Sequence, residues 1–482
     1  MINDKYQVVI GLEVHAQLLT KSKLFSGDSI SFGASPNTHV SPIALAHPGT
    51  LPVMNKEVIA LAVKLGIALN CNIAENNFFA RKNYFYPDLP KGYQVSQHTA
   101  PICNGGFLTI QTLAGAKAVK LNRIHMEEDA GKSIHDLYDT NTAIDLNRAG
   151  TPLLEIVTEP DMHSADEAYA YLTELRRLVR WLDVCDGNME EGSLRCDANI
   201  SIRLKGETKL GTRVEVKNLN SIRNVKKAIE IETDRLIEII ESGETVLQET
   251  RSFNADNNTT FSLRSKEEAD DYRYFPEPDL PPFFISEEYI YNAKIKMPAL
   301  PATLEEKLIL DDGLSAYDAA LICIDKDDIK LYESVSQKTG NCKAAANWIT
   351  GPVRKYCNDN NFSIKYFPLT ADKISELILF TESGKIHFNV ASTRLMEGMI
   401  NSKNNTAEEI GLALNLLQDN NTDAISKWIE EVILLMPEKV KEYKAGKKGL
   451  IGLFAGQVKK LSKGKADMSL VNKLLEEMLG NA

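Results

Sequence analysis

Arg123-Ile-His-Met-Glu127-Glu128-Asp129-Ala-Gly131-Lys132 is an extended run that ends in three consecutive carboxylates and a Gly-Lys turn. Two other stretches are patterned to face it. In residues 7–17 the apolar Val8, Ile10, Leu12 and Val14 alternate with Gln7, Val9, Gly11, Glu13, His15 and Gln17. A period of two marks a half-buried strand, so Glu13 and His15 share one face, about 7 Å apart by strand rise. Residues 195–204 repeat the pattern: Cys196, Ala198, Ile200, Ile202 and Leu204 occupy one face, and Arg195, Asp197, Asn199, Ser201 and Arg203 the other. Both strands bury one side and present acids, an imidazole and guanidinia on the opposite side.

That pattern suggests a sheet whose open face holds a cation and an anionic substrate together. Carboxylate oxygens with one imidazole, and no thiolate nearby in sequence, suit Mg²⁺ or Mn²⁺ better than structural zinc. Any one of these acidic clusters alone also reads as a solvated strand end, because surface carboxylates are common. Two strands carrying the same arrangement shift the reading towards a site.

The chain has 482 residues, more than one core sustains, so two to four domains are expected. Its 43% hydrophobic and 25% charged residues are ordinary for a soluble globular protein. No apolar run approaches the roughly 20 residues that span a bilayer. The first residues lead directly into a strand pattern without the basic and apolar regions of a signal peptide, which points to the cytoplasm. Seven scattered cysteines, with no Cys-x-x-Cys, indicate neither a disulfide framework nor a thiolate zinc site. A net charge of −11 argues against nucleic-acid binding over the whole surface and leaves room for a local basic patch.

Residues 20–55 are rich in Ser, Pro, Gly and Asn and read as a long loop, followed by a helix over 56–69. Residues 81–94 combine aromatics, Pro87, Pro90 and three cations. Two prolines exclude a regular helix there. The segment reads as a rigid loop placing Lys82 and Lys91 on phosphate oxygens, with Tyr84 or Tyr93 free to stack on a base or ribose; its bland alternative is a loop that packs its own rings. Residues 107–126 read as strands meeting at Gly115. Ser164 to Glu167 forms a capping box before a helix with the stripe Ala168, Leu172, Leu175, Val179 and Leu182. A further strand over 212–219 sends Val214 and Val216 inward and Arg213, Glu215 and Lys217 outward. Asn220 or Ser221 can cap a long helix reaching about Gly243. Proline-rich text at 276–282 and 297–301 looks like the exit from the first domain. Residues 303–400 are mostly helical, 401–406 form a polar linker, and a last helical unit runs to the end.

That last unit holds the basic patch. Residues 439–465 carry nine lysines against the single acid Glu442, a local charge of +8. This is a plausible footprint for an RNA backbone, or alternatively a solvated helix face. Gly131-Lys132-Ser133 resembles the end of a P-loop, but Met126 stands where its first glycine belongs, so a P-loop is excluded.

Five ordered motifs carry a resemblance: Ile10-Gly-Leu-Glu-Val-His15, the 81–93 segment, Glu190-Glu-Gly-Ser-Leu-Arg-Cys-Asp-Ala-Asn199, Val216-Lys-Asn-Leu-Asn-Ser221 and Asp271-Tyr-Arg-Tyr-Phe-Pro-Glu-Pro-Asp279. With Gly449-Leu-Ile-Gly-Leu-Phe-Ala-Gly-Gln457 they resemble the B subunits of tRNA-dependent amidotransferases over essentially the whole chain. The resemblance implies an α+β fold: a cradle domain on an antiparallel sheet (1–295), a helical domain (296–403) and a small helical tail that touches tRNA (404–482). It implies a cytoplasmic heterotrimer with a glutaminase A subunit and a C subunit. The B subunit would use ATP to activate the carboxylate of Glu on Glu-tRNA(Gln), or Asp on Asp-tRNA(Asn), for amidation by ammonia.

On that reading Glu13, His15, Glu127, Glu128 and Asp197 would supply Mg²⁺ ligands, some through water. Glu13, His15, Glu128 and Asp197 would serve the chemistry; Lys82, Lys91 and Arg195 would hold phosphates, with Tyr84 beside them. Lys447, Lys448, Lys459, Lys460 and Lys463 would contact tRNA. Many members resemble a zinc ribbon after the first strand, whereas the corresponding text here, 25–28 and 40–44, has no thiol, so no zinc is expected. Two alternatives stay open: a non-catalytic tRNA-holding scaffold, and a free-standing phosphotransferase, which would leave the lysine-rich tail without a purpose.

Overall fold

The computed structural model describes residues 5–135, 137–265, 272–402, 404–417, 422–462 and 466–480. The chain divides into two compact units, Met1–Leu300 and Pro301–Ala482. The first is built on a mixed sheet of 13 strands, antiparallel apart from one parallel pair, and the second is helical.

The alternation in residues 7–17 becomes strand β1 (Tyr6–Gln17), with Val9, Ile10, Leu12 and Val14 buried. The other path-forming strands are β2 (Ala80–Asn83), β3 (Tyr93–Ser96), β4 (Gly115–Glu128), β5 (Pro152–Thr158), β6 (Leu194–Leu204), β7 (Val214–Lys217), β8 (Glu249–Asn254), β9 (Thr259–Ser265) and β10 (Phe275–Pro276). Their order is β9-β8-β7-β6-β1-β5-β4-β3-β2-β10. Strand β1 is therefore interior, between β6 and β5, and needs partners on both edges to satisfy its backbone. Among the described residues parallel pairing is confined to β7 with β8, joined through the helix at 222–241.

Three long helices and the shorter Glu287–Ile295 belong to the first unit among the described residues. Helix α1 (Lys56–Ala68) is capped by Asn55; α2 (Ala165–Trp181) by Ser164; α3 (Ile222–Glu241) by Ser221. Each cap side chain satisfies one of the free N–H groups of the first turn. The anticipated α2 stripe is fully buried: Ala168, Leu172, Leu175, Val179 and Leu182. On α3 the buried side includes Val225, Ile229 and Leu236, together with Glu232, which is fully buried and neutralised by Arg235 and Arg251. Glu167 departs from a reciprocal capping box, because its carboxylate accepts from the N–H of His163, one residue before the cap.

Residues 81–94 differ from the loop expected of them. Ala80–Asn83 and Tyr93–Ser96 pair as antiparallel strands, and only the text between them, with both prolines, is a connection. Both prolines lie off the ladder, so neither removes a sheet hydrogen bond. Lys82 consequently sits on a strand with a fixed direction. Lys132–Ile134 forms a two-stranded ribbon with Ala143–Asp145, unlike the helix start that follows a P-loop.

The second unit is made of helices within 301–402, 404–417, 422–462 and 466–480. Its last part buries Ile425, Ile429, Val432, Phe454, Val458, Val471 and Leu475 together. Among the described residues no helix is long and apolar enough to cross a membrane.

Candidate active site

Strand register brings the polar face into rows. His15 on β1 is the partner of Arg195 on β6 and of Glu155 on β5, and Glu155 is in turn the partner of His125 on β4. Glu13 lies opposite Asp197 one row along. Since alternate residues share a face, Glu127 joins His125 on the same side of β4. Two clusters of donor atoms result, each within 4.8 Å of one another: His15, Glu127 and Glu155; and Glu13, Asp197 and Glu215.

In the first cluster His15 Nε2 is 3.4 Å from Glu127 Oε1, and His125 Nε2 packs against the Glu155 carboxylate and lies 3.7 Å from Glu127 Oε2. Glu127 and His125 are buried. Burial works against every charge here, and the opposite charges outweigh it. The His15 imidazole is raised above its ordinary value, since the hydrogen bond to Glu127 and the charge of Glu155 exceed the desolvation cost. The same balance carries His125 to about 9, with Glu155 the largest attraction. Conversely, His125 holds Glu155 down to about 2, and His125 with His15 holds Glu127 well below the usual carboxylate range, both against desolvation. At neutral pH His125 is therefore cationic between the carboxylates of Glu155 and Glu127.

The second cluster has its own cation. Lys217 Nζ is 2.5 Å from Asp197 Oδ2 and 3.3 Å from Glu215 Oε1. Burial disfavours its charge, but Asp197 and Glu215 raise its pKa above the ordinary lysine value. Asn199 Nδ2 donates to Glu13 Oε1 at 2.9 Å, and Thr250 Oγ1 donates to Glu215 Oε2 at 3.0 Å.

The structure places the anticipated residues unevenly. Glu13, His15, Glu127 and Asp197 share the face. Glu128 is not with them: as Glu127's neighbour it projects to the other side, where it meets Lys91 and accepts from the Val95 N–H at 2.9 Å. Lys91 is thus engaged with Glu128 on that side. Arg195 is on the site face, its guanidinium 2.7 Å from Asp129 Oδ2. Lys82 is half-buried, with its ammonium over the Tyr272 ring at 4.7 Å and the Tyr84 ring at 5.9 Å. Among the described residues it has no oxygen acceptor within ion-pair or hydrogen-bond distance. Desolvation opposes its charge, and the charges of Tyr274, Glu127 and Glu155 raise its pKa nonetheless. Tyr84 lies in a group of rings with Tyr86 and Tyr272.

Sequence reasoning missed Glu155, His125, Glu215 and Lys217 as site residues. One signal was available for Glu155: it is the single charge within Pro-Leu-Leu-Glu-Ile-Val-Thr, an apolar run that a solvated acid would interrupt for no reason. In the tail, Lys459 and Lys460 are exposed in the last turn of the helix Ile451–Leu461. Lys447 pairs with Glu442 at 3.1 Å and Lys448 lies over the Tyr443 ring at 4.3 Å. Lys463 lies outside the described residues.

A sheet face that carries two oxygen-rich donor clusters and a lysine leaning on rings can bind a divalent cation beside an anionic group. Residues 8–291 match the family model described as the GatB/GatE catalytic domain, and residues 330–479 match that described as the GatB domain. The B subunit of the aspartyl/glutamyl-tRNA(Asn/Gln) amidotransferase of Syntrophotalea carbinolica is 46% identical over 478 residues, 99% of each chain. Its namesakes in Geotalea uraniireducens and Chlorobaculum tepidum are 48% and 47% identical, each over 98% of this chain and 99% of their own. The chain belongs to the family of B subunits of tRNA-dependent amidotransferases.

Proposed function

We propose that this chain, assembled with a glutaminase A subunit and a C subunit, uses ATP to activate the side-chain carboxylate of Glu on Glu-tRNA(Gln), or Asp on Asp-tRNA(Asn), and directs its amidation. The observation that carries the reading is the His15, Glu127 and Glu155 cluster beside Lys82 on one sheet face. Its donor set, two carboxylates and one imidazole within 4.8 Å, fits a hard divalent cation of the Mg²⁺ type. When bound, such a cation supplies positive charge to phosphate oxygens.

A carboxylate is a poor electrophile because oxide is a poor leaving group. Phosphorylation makes the leaving group phosphate. In that step the γ-phosphorus forms a bond to the substrate carboxylate oxygen while its bond to the β–γ bridging oxygen breaks, releasing ADP. Ammonia then attacks the acyl carbon, phosphate departs with its oxygen, and a proton leaves the nitrogen. Phosphoryl transfer is largely positioning and charge neutralisation, which is work this face can do. His15, Glu127 and Glu155 would hold the cation, His15 releasing its proton on binding it; Lys82, whose ammonium has no oxygen acceptor among the described residues, would take a phosphate oxygen. Glu13, Asp197 and Glu215 offer a second donor set that Lys217 neutralises. Arg195, held by Asp129, lines the approach. Lys447, Lys448, Lys459, Lys460 and Lys463 contact the tRNA backbone.

The test is amide formation by the assembled complex on Glu-tRNA(Gln) with ATP, Mg²⁺ and glutamine, comparing wild type with Glu127→Gln. Loss of amide formation in the variant while the complex still binds tRNA is expected; amide formation at the wild-type rate removes the cluster from the chemistry and leaves the chain as a tRNA-holding scaffold.

A further inference from the structure

We infer that Tyr272 is a positioning residue of this site, the ring that holds the Lys82 ammonium against the reacting phosphoryl group and keeps water from the activated acyl group. The inference rests on the proposed activation of the substrate carboxylate and deepens it.

The segment carrying Tyr272 is far from the sheet centre in sequence and is fastened to it from three directions. Phe275 and Pro276 pair with Arg81 and Ala80 on β2. Arg81 grips Glu277 through two bonds of 2.8 and 2.7 Å, with the carboxylate buried. Asn83 Nδ2 donates to the backbone carbonyls of Tyr272 and Arg273 at 3.2 and 2.8 Å. Between the two tyrosines Arg273 has φ of +46°, a left-handed conformation that strains a non-glycine residue and persists only when surroundings impose it. The result is a pair of rings directed to one place. Tyr272 and Tyr274 meet edge to face at 6.1 Å, Tyr274 stacks on His98 at 4.0 Å, and Tyr84 meets Tyr272 at 6.2 Å.

Lys82 is the cation that this ring assembly surrounds, 4.7 Å from the Tyr272 centroid, and it leans on a ring face instead of an oxygen. An ammonium over an aromatic face is held in place yet keeps its hydrogen-bond donors. Lys82 lies on β2 between Arg81 and Asn83, so the residues that anchor the 272–277 segment also flank the cation it covers. Tyr274 is half-buried and feels the charges of Glu127 and Glu155, which sets the ring assembly beside the carboxylate cluster. An acyl phosphate at that place has two fates. With ammonia the C–N bond forms, the C–O bond to phosphate breaks and amide results; with water the same bond breaks and the carboxylate returns, wasting one ATP. Excluding water is the condition for one phosphate per amide.

The experiment measures phosphate released per amide formed, by the assembled complex with Glu-tRNA(Gln), ATP, Mg²⁺ and saturating ammonium chloride, which removes ammonia delivery as a variable. Wild type is compared with Tyr272→Ala and Tyr272→Phe. The expected result is a ratio near one for wild type, a rise of several-fold for Tyr272→Ala, and a ratio within twofold of wild type for Tyr272→Phe, which keeps the ring. An unchanged ratio in Tyr272→Ala, including a parallel loss of phosphate release and amide, overturns the inference, as does equal uncoupling in both variants. Failure of the underlying reading looks different: wild-type phosphate release would not respond to aminoacyl-tRNA at all.

Discussion

Replacing Glu155 with glutamine tests whether the first cluster is held by charge. The rise of the buried His125 imidazolium from 6.5 to about 9 corresponds to about 3 kcal/mol of preference for its charged form in the fold. A group whose folded pKa is raised contributes stability that is fully present below its unfolded pKa and is lost as pH rises through the folded value. For His125 the window is therefore pH 6.5 to 9, and at pH 7 most of that contribution remains. The fall of Glu155 to about 2 describes the same pair from its other partner, so it is counted once. Glu127 still attracts His125 in the variant, which leaves an expected loss of about 2 kcal/mol at pH 7 and almost none at pH 9.5. The assay is hydrogen exchange of the amides of Tyr6–Gln17 and Pro152–Thr158 in chelator, corrected for intrinsic rates at each pH. It reports opening of the sheet itself, independently of the helical unit. Equal losses at pH 7 and pH 9.5 would refute the reasoning, because an uncharged packing defect has no such pH dependence.

His15→Ala and Glu13→Gln should each abolish tRNA-stimulated ATP hydrolysis while leaving tRNA affinity within about twofold of wild type; filter binding alongside phosphate release separates the two effects. Neutralising Lys459 and Lys460 together should weaken tRNA binding and reduce the slope of log affinity against log salt by about 1.4 to 1.8, given roughly 0.7–0.9 per phosphate contact; an unchanged slope returns those lysines to a solvated helix face. Leu12→Ala, at a buried position on an interior strand, should cost about 2–5 kcal/mol in the opening free energy of Tyr6–Gln17, and a loss below about 1 kcal/mol would mean that β1 is not the centre of that core.

Period-two patterning made β1 and β6 legible, because an interior strand with one polar face must alternate. The same rule applied to consecutive residues explains what was misjudged: Glu127 and Glu128 cannot both face His15, and the strand sends Glu128 to Lys91. Glu155 and His125 escaped notice since their partnership is a matter of register between β4 and β5, set by connections that sequence spacing does not reveal. Lys82 was read as a loop cation because Pro87 and Pro90 dominate the local text, whereas the prolines occupy the connection and leave Ala80–Asn83 free to pair. The site's far wall, Tyr272 and Tyr274, comes from almost 200 residues away and was visible only as a motif of the family.

The most direct measurement is γ-phosphate release from ATP by the reconstituted complex with Mg²⁺, supplied in turn with Glu-tRNA(Gln), Asp-tRNA(Asn) and uncharged tRNA, for wild type and Glu13→Gln. The account expects release that depends on a misacylated tRNA and is lost in the variant, which also names the substrate. Release that is indifferent to the aminoacyl group, or undiminished by Glu13→Gln, would contradict it and move the chemistry off this sheet face.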